Sequence, residues 1–340
     1  MTRSSNPDKR PRRLTVLAIG VTTAITLSAC GAGSDTGAAG SPSPSVSRTP
    51  QGVVTQETAK KVLDNYEKIN NEANKTRDAK LLGTVEAGQV HEGSKADYTL
   101  FSTWSATNRT AHGNPFSYKN RSYYRPPAGT ATWFAVKATA SFDSKQDVLM
   151  VFDKVAGTYK MVFALWAGEA PIPAITVDRY GLASVADPSQ PVGTLAPDKL
   201  TGAYEDLIET GGKKEGKQLA STKTSKGSLS LYDNRDKGAE ARWSTKNFFA
   251  AKPAYPKVYA LELADGGVLA AFPTAHTQES LLKPAYRGSF QMGPTKEEAV
   301  YNPSKRAVIT DTFQGQGLAE LSPKGKPKVT VMSYKMVDSR

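Results

Sequence analysis

Residues 131–166 read ATWFAVKATASFDSKQDVLMVFDKVAGTYKMVFALW, and this stretch decides the fold. Three segments within it are rich in aromatic and β-branched residues: 131–141, 146–152 and 159–166. Such residues favour strands. Two polar breaks of three residues separate the segments, and breaks that short join antiparallel strands. The stretch therefore predicts an antiparallel meander.

A helix is predicted upstream of the meander. Thr55 suits the N-cap, and Ala59, Val62, Leu63 and Tyr66 follow at the spacing of one apolar helix face. The polar residues that come next are expected to end or bend this helix. The segment 81–93 favours neither helix nor strand, because its two glycines weaken a helix. Two further strand candidates complete this half: 98–104 and 116–125.

The same order begins again after a proline-rich boundary at residues 186–197. Pro197 suits the first helical position, and the apolar spacing from Leu200 to Ile208 predicts a helix that Gly211 and Gly212 stop. Six strand candidates follow: 228–232, 242–249, 257–263, 267–272, 298–301 and 327–335. Residues 315–317, Gly-Gln-Gly, are interpreted as a turn.

The repeated order predicts an α+β fold with two similar helix-plus-antiparallel-sheet domains in tandem. Their predicted bounds are 53–187 and 198–340, with a linker at 188–197. Two unrelated α+β domains remain the alternative, because the matching motifs imply two different offsets. A helix on a curved antiparallel sheet resembles the NTF2-like and cystatin-like cone folds, a resemblance that carries no function by itself.

The amino terminus predicts export. Residues 1–29 join a basic segment to an uncharged apolar run of sixteen residues, which is short for a membrane-spanning helix but typical of a signal peptide. The run ends in Leu27-Ser28-Ala29-Cys30, which resembles the lipobox of bacterial lipoproteins. That resemblance implies that Cys30 becomes the lipidated first residue of the mature protein. An ordinary secreted protein is the alternative, and Arg12-Arg13 leaves twin-arginine export open beside the general route.

Residues 30–52 are predicted to be the lipidated cysteine and a disordered tether. Twelve of residues 31–50 are Gly, Ser or Pro, and such a segment cannot bury apolar surface. The whole chain resembles the uncharacterised secreted lipoproteins of actinobacteria. This resemblance implies a protein held at the cell membrane by its lipid, on the extracytoplasmic face. The single cysteine excludes intramolecular disulfides and Cys-ligated metal sites.

The charge of the chain indicates anionic partners. Residues 1–29 hold five Lys or Arg and one Asp, so the rest keeps 39 basic and 31 acidic side chains, a formal charge of +8. Outside a cell, this charge favours anionic lipid headgroups or wall polymers rather than nucleic acid. On a regular strand, Lys119, Arg121, Tyr123 and Arg125 would share one face and could contact such a polymer. The alternative is an ordinary half-buried strand.

No motif in the sequence predicts a catalytic, cofactor or metal site. His91, His112 and His276 lie in three separate contexts and are interpreted as solvated. The carboxylates of the two predicted helices, Asp64 with Glu67 and Glu205 with Asp206 and Glu209, are expected on solvated helix faces.

The favoured hypothesis is therefore a non-enzymatic, lipid-anchored protein that binds or scaffolds something at the cell envelope. Its possible partners are an anionic wall polymer, a small molecule in a cone-shaped cavity or another exported protein. The alternative is a cone-fold hydrolase or isomerase that acts on a small apolar substrate. A cavity with two ionisable groups within hydrogen-bond reach would favour that enzyme.

Overall fold

The computed structural model describes residues 49–168 and 171–340. The predicted signal peptide, Cys30 and the tether up to residue 48 lie outside the described residues. The helices are α1 (Gln56–Thr76), α2 (Ala79–Leu82), α3 (Gly88–Leu100), α4 (Ala106–Gly113), α5 (Leu200–Glu209), α6 (Lys223–Asn234) and α7 (Glu298–Tyr301). The strands are β1 (Tyr118–Tyr124), β2 (Trp133–Ala140), β3 (Asp143–Val155), β4 (Thr158–Trp166), β5 (Ser244–Ala250), β6 (Tyr259–Glu262), β7 (Val268–Leu282), β8 (Val308–Leu321) and β9 (Lys328–Ser339).

The strands form two antiparallel sheets, one from each half of the chain. The first sheet has the order β1-β2-β3-β4, which confirms the predicted meander. The second has the order β5-β7-β8-β9, and β6 pairs with the same strand β7. The fold is therefore α+β, as predicted, with helices before and between the two sheets.

Alternate residues of the strands point into different cores. On β2, Phe134 and Val136 pack in a core that α1 covers, whereas Trp133 and Ala135 pack against the second sheet. A strand buried on both faces has an almost continuous apolar sequence rather than an alternating one. This explains the uninterrupted apolar runs at 133–136, 148–152 and 161–166.

The second sheet is covered in the same way. Tyr259 and Leu261 of β6 face the first sheet, and Ala260 between them faces the core beneath α5. The two halves thus build four layers in the order helix, sheet, sheet, helix, with one apolar core shared between the sheets. The predicted division of the chain at residues 188–197 stays a prediction; in that segment, Leu195 and Ala196 are buried.

The helix starts follow the capping rules used for the sequence. The Thr55 side chain accepts a hydrogen bond from the Thr58 amide at 3.1 Å, which confirms the predicted N-cap of α1. Pro197 opens the short 3-10 turn that leads into α5.

Three predicted strands are wrong, because local helix signals outweigh strand composition. Residues 98–104 finish α3 and a 3-10 turn, and α3 buries Val90, Gly93 and Leu100 on one side. Residues 228–232 lie within α6, which a capping box starts. Residues 298–301 form α7, just before which the Thr295 hydroxyl accepts a hydrogen bond from the Glu298 amide at 3.2 Å.

The predicted turn at residues 315–317 is also wrong, because these residues lie in the middle of β8. A Cβ atom on Gly315 would come within 2.5 Å of the Tyr334 ring, and one on Gly317 within 2.5 Å of the Phe272 ring. Glycine is therefore required for the close approach of these rings rather than for a turn. The neighbouring residue Gln316 reaches the first sheet, where its Oε1 accepts a hydrogen bond from the Ala164 amide at 2.9 Å.

Candidate functional site

A cavity of about 420 Å³ opens where α1 and α3 meet the edge strand β4 and the strands β8 and β9. We call it the Glu86 cavity, after the carboxyl group in its wall. Residues of both halves line it, including Asn70 from α1, Trp166 from β4 and Gln316 from β8. Its volume is that of a site for a small molecule.

Backbone hydrogen bonds hold Glu86 in place between α2 and α3. The Met161 amide donates to the Val85 carbonyl at 2.8 Å, and the Ala87 amide donates to the Met161 carbonyl at 3.0 Å. These bonds attach the segment to β4. Gly88 then starts α3 at a φ of 59°, where a Cβ atom would approach that of Tyr255 to 2.6 Å. The turn therefore directs the Glu86 side chain inward.

One oxygen of the Glu86 carboxyl has hydrogen-bond partners and the other has none. Oε1 accepts from the Tyr66 hydroxyl at 2.9 Å and from Asn70 Nδ2 at 3.4 Å. Oε2 is buried without a partner, and the residue is 2% exposed. Because buried polar atoms nearly always have partners, an orphaned one at a cavity indicates a place for a ligand.

A chain of hydrogen bonds leads to Oε1 from the cavity rim. The Tyr98 hydroxyl donates to Asn74 Oδ1 at 2.7 Å, Asn74 Nδ2 donates to Asn70 Oδ1 at 2.7 Å, and Asn70 Nδ2 donates to the Tyr66 oxygen at 3.0 Å. Tyr66 then donates to Glu86. Each hydrogen bond in this series is donated in the direction of the Glu86 carboxyl, so these side chains fix the orientation of the carboxyl group.

Burial dominates the ionisation of Glu86. Removal from water raises the pKa of this carboxyl to about 8, although the nearby Ser94 hydroxyl and the hydrogen bonds from Tyr66 and Asn70 lower it. The group therefore carries a proton at neutral pH, and a cation placed beside it would favour release of that proton to solvent. Burial and the adjacent Glu86 also raise the pKa of Tyr66 well above its ordinary value, so Tyr66 stays a hydrogen-bond donor.

Aromatic rings form another part of the cavity wall. The Phe116 and Tyr118 rings meet edge to face at 5.3 Å, and Trp166 packs 6.4 Å from Tyr118 and 5.6 Å from Phe142. All four residues line the cavity. At the rim, Lys335 Nζ lies 2.6 Å from Asp97 Oδ1, so a carboxylate neutralises this cation.

The predicted basic face of β1 is wrong in its geometry. A bulge between Lys119 and Ser122, with Asn120 at a φ of 54°, shifts the alternation of the strand. Arg121 and Tyr123 consequently turn toward the core side of the sheet, whereas Lys119 is exposed.

Arg121 and Arg125 are both engaged within the fold. Arg121 forms ion pairs with Asp64 and Glu67 of α1, and Arg125 Nη1 donates to the Val54 carbonyl at 3.4 Å. Asp64 and Glu67 are thus partners of a strand rather than free carboxylates of a helix. Contact of this strand with an anionic polymer stays a prediction.

The expectation of solvated groups is wrong for Glu205, Asp206 and His276. Glu205 and His276 are 2% and 5% exposed, and Asp206 is buried where it accepts from the amides of Lys214 and Gly216. Burial raises the pKa of Glu205 to about 8 and lowers that of His276 to about 4. Their contact of 3.5 Å therefore joins two neutral groups at pH 7, not an ion pair.

His91 and His112 are half-buried on α3 and α4 rather than fully solvated. His112 lines the Glu86 cavity and packs edge to face against Trp104 at 5.2 Å. Burial lowers the pKa of both imidazoles below the ordinary value.

Glu86 itself was not among the predicted site residues. Its only sequence signal is a single carboxylate among apolar neighbours, Thr84-Val85-Glu86-Ala87, within the segment that favours neither helix nor strand. That signal does not indicate a cavity, because other residues that line the cavity lie far from Glu86 in the sequence. The most distant one, Lys335, is 249 positions away.

Two comparisons place this architecture in a family. The family described as a domain of unknown function, DUF8094, matches residues 50–340, and the chain belongs to it. An uncharacterized lipoprotein of Streptomyces coelicolor is 31% identical over 337 residues, which cover 95% of this chain and 92% of the relative. These matches confirm the predicted resemblance to a lipoprotein family. No solved structure matches, so the NTF2-like and cystatin-like resemblance stays a prediction.

Within residues 49–168 and 171–340, no helix combines the length and the apolar character needed to cross a bilayer. In that same part of the chain, no three His, Cys, Asp or Glu side chains come together as a possible metal site.

Proposed function

We propose that this protein is a lipid-anchored, extracytoplasmic binding protein that holds a small molecule in the Glu86 cavity. The observation that carries the proposal is the orphaned Oε2 of Glu86, which lies 2% exposed beside a cavity of about 420 Å³. A ligand that hydrogen-bonds this oxygen, by donating to the ionised carboxylate or accepting from the protonated carboxyl, would remove the cost of leaving it unpaired, about 1–3 kcal/mol.

The sequence and the relative support the anchor. Cys30 occupies the lipobox position, and the Streptomyces relative is a lipoprotein. Acyl chains contribute about 0.8 kcal/mol for each buried methylene, so two or more chains hold a protein firmly on a bilayer. Twenty Gly-, Ser- and Pro-rich residues after Cys30 would let the folded part stand about 25 Å from the membrane.

Binding is favoured over catalysis by the state of the ionisable groups in the cavity. The pKa of Glu86, about 8, and its contact with Tyr66 at 2.9 Å are the observations that favour an acid catalyst. However, the raised pKa of Tyr66 keeps that phenol protonated, and Asp97 is held by Lys335. His112 also lines the cavity, but burial lowers its pKa, and among the described residues no hydrogen bond joins it to Glu86. Acid–base catalysis of an isomerisation or hydrolysis ordinarily uses a coupled pair.

The anchor is tested in the full chain with Cys30→Ser. We expect the wild type to sediment with membranes and to incorporate an alkyne-tagged fatty acid, and the variant to lose both properties. Protease added to intact cells should degrade the wild-type protein if it lies on the outer face. Unchanged labelling and membrane retention of the variant would refute the anchor.

The binding site is tested with three probes that share a phenyl ring and differ in head group: 2-phenylethylammonium, 2-phenylethanol and 3-phenylpropanoate. The full chain, reconstituted in phosphatidylcholine nanodiscs, should bind at least one of them by ligand-detected NMR. Ser94→Leu, which places apolar bulk in the cavity wall, should weaken that binding at least tenfold. Thr99→Leu, at an exposed position of the same helix, is the matched control. Failure of all three probes, or equal effects of the two variants, would refute the proposed site.

A further inference from the structure

The hydrogen bonds around Glu86 leave an acceptor for the ligand. A series of side-chain hydrogen bonds ends at Oε1 and runs from Tyr98 through Asn74, Asn70 and Tyr66. This series does not reach the other carboxyl oxygen, the unpaired Oε2. An ionised Glu86 could therefore accept a bond from the ligand at Oε2. The ionised carboxylate therefore favours a ligand that donates a hydrogen bond to Oε2.

The aromatic wall extends this preference to positive charge. Tyr118 and Trp166 line the cavity together with Phe116 and Phe142. Aromatic faces attract ammonium groups by roughly 0.5–2 kcal/mol, most strongly where water is excluded. The same rings give an apolar surface to the body of a ligand, so they suit a cation with a hydrocarbon or aromatic part.

The cavity offers little to an anion. Its lysine, Lys335, is bound by Asp97 at 2.6 Å. Burial keeps His112 neutral by lowering its pKa. An anionic head group would thus meet Glu86 without a free cation to balance it, although the chain as a whole carries excess positive charge.

Resting on the proposed function, we infer that the ligand is an organic cation, a primary ammonium group on an apolar body, which pairs with Oε2 of Glu86 and displaces the carboxyl proton to solvent. The step balances: the protonated carboxyl and the ammonium ion give one ion pair and one released proton. The ammonium group donates to Oε2, and its apolar body lies against the aromatic wall.

Because the bound ammonium group replaces the carboxyl proton of Glu86, the affinity for the cation depends on pH. The groups that face Glu86 from the surrounding elements are the following: Tyr66, Ser94, Asp97 with Lys335, Tyr98, His112 and Tyr118. The tyrosines have raised pKa values and stay neutral, so Glu86 is the group that titrates near pH 8. Below that pH, each unit lowers the affinity for the cation about tenfold.

The three phenyl probes test this inference by calorimetry on the full chain in nanodiscs. At pH 8.5, 2-phenylethylammonium should bind at least tenfold more tightly than 2-phenylethanol or 3-phenylpropanoate. Its affinity should fall about 25-fold at pH 6.5, with about one proton released per ligand, while that of the alcohol stays constant. The alkylammonium group remains charged at both values, as the side chain of lysine does.

Glu86→Gln should remove both the preference for the cation over the alcohol and the pH dependence of cation binding. Glu92→Gln, at a half-buried carboxylate on α3, is the matched control and should behave as the wild type. If the alcohol or the propanoate binds as tightly as the ammonium in the wild type, the inference is wrong and the proposed function stands. If none of the probes binds, the proposed function itself is refuted.

Discussion

Buried ionisable side chains determine how single residues of this protein respond to pH. Glu86 and Glu205 each sit beside a tyrosine hydroxyl, at 2.9 Å from Tyr66 and 2.8 Å from Tyr334. Burial raises the pKa of each carboxyl to about 8. The two sites differ in their surroundings, because Glu86 lines a cavity whereas Glu205 packs against His276 in the second half.

Glu205→Gln should change the pH dependence of stability. Because the folded-state pKa of Glu205 is raised above the unfolded one, its contribution is complete below about pH 4.5 and is lost as the pH rises toward 8. The wild type should therefore lose up to about 1.4 kcal/mol per pH unit in this window that the variant does not lose. Denaturant unfolding at pH 5, 6.5 and 8 measures the difference.

Glu262→Gln is the control for this experiment, because Glu262 is an exposed carboxylate on β6 of the same half of the chain. Its pH profile should match that of the wild type. Parallel profiles for the wild type and Glu205→Gln would contradict the account of buried, neutral Glu205.

The sequence could not predict this burial, because the helical pattern was interpreted with a single apolar face. In the structure, α5 packs against the second sheet and also against α6, so every residue from Ala203 to Ile208 is buried. A carboxylate opposite the apolar stripe therefore lies between two elements instead of in water. The spacing of apolar residues predicts the face of α5 that packs on the sheet, but it does not predict the face that packs on α6.

At the scale of elements, ion pairs attach the first strand to the first helix. Arg121 of β1 is 17% exposed and contacts both Asp64 and Glu67 of α1. Glu67 also accepts a hydrogen bond from the Tyr118 amide at 2.7 Å. These contacts place the bulged strand beneath α1, which carries Tyr66 and Asn70 of the cavity.

Arg121→Ala should destabilise the fold by about 1–3 kcal/mol, since it leaves two carboxylates without their partly buried partner. Lys119→Ala removes a cation from the same strand at an exposed position and should change stability by less than about 0.5 kcal/mol. Urea unfolding compares the two. Equal effects would show that the ion pairs with α1 do not anchor the strand.

Gly317→Ala should destabilise the middle of β8. The added Cβ would lie 2.5 Å from Phe272 Cζ and 2.6 Å from Met332 Cε, and the buried Phe272 ring has little room to move. Overpacking of this kind costs about 1–3 kcal/mol. The free energy of unfolding in urea gives the measurement.

Gly227→Ala provides the contrast, because a Cβ atom added at this position of α6 would meet no described heavy atom within 4 Å outside its own helix backbone and chain neighbours. Alanine is the better helix former there, so this variant should be neutral or stabilised by up to about 1 kcal/mol. A stable Gly317→Ala protein would contradict the close packing that replaces the predicted turn.

Strand prediction succeeded where burial on both faces removes ambiguity, as in Trp133-Phe134-Ala135-Val136. It failed in β8, whose Gly315-Gln316-Gly317 has the composition of a turn. The requirement for glycine comes from Tyr334 and Phe272 on neighbouring strands. Such a requirement is absent from any local pattern.

At the scale of the whole molecule, a buried carboxylate joins the two halves. Asp153 of β3 accepts hydrogen bonds from Tyr255 at 2.9 Å, Lys257 at 2.7 Å and Tyr259 at 2.7 Å. Burial alone would raise the pKa of Asp153, but bonds from Lys257, Thr132 and Tyr259 outweigh it and hold the pKa below its ordinary value. The two sheets therefore share polar as well as apolar contacts.

Asp153→Ala should lower the stability of both halves together, by about 3 kcal/mol, since it removes the acceptor of the buried Tyr259 hydroxyl and of the part-buried donors Tyr255 and Lys257. We expect one calorimetric transition in the wild type, shifted downward in the variant. Asp147→Ala is the control, because Asp147 is about one-third exposed and pairs with Lys137 within one sheet at 3.9 Å. Two separated transitions in the wild type would contradict the shared core.

The order of helices and sheets could be predicted because it follows the order of local patterns. The face-to-face packing of the sheets and the cavity could not, because they join distant residues. Glu86 and Gln316 lie 230 positions apart, yet both line one cavity. A single sequence contains no signal that brings such residues together.

The most direct measurement of the central claim is the titration of the Glu86 side-chain carboxyl by carbon-13 NMR, assigned by the loss of its resonance in Glu86→Gln. Without ligand, its pKa should lie near 8. With saturating 2-phenylethylammonium, the adjacent cation should lower it by about three units, as the 25-fold pH dependence of its affinity requires. A pKa that the cation leaves unchanged, or an ordinary value near 4.5 in the free protein, would contradict the account.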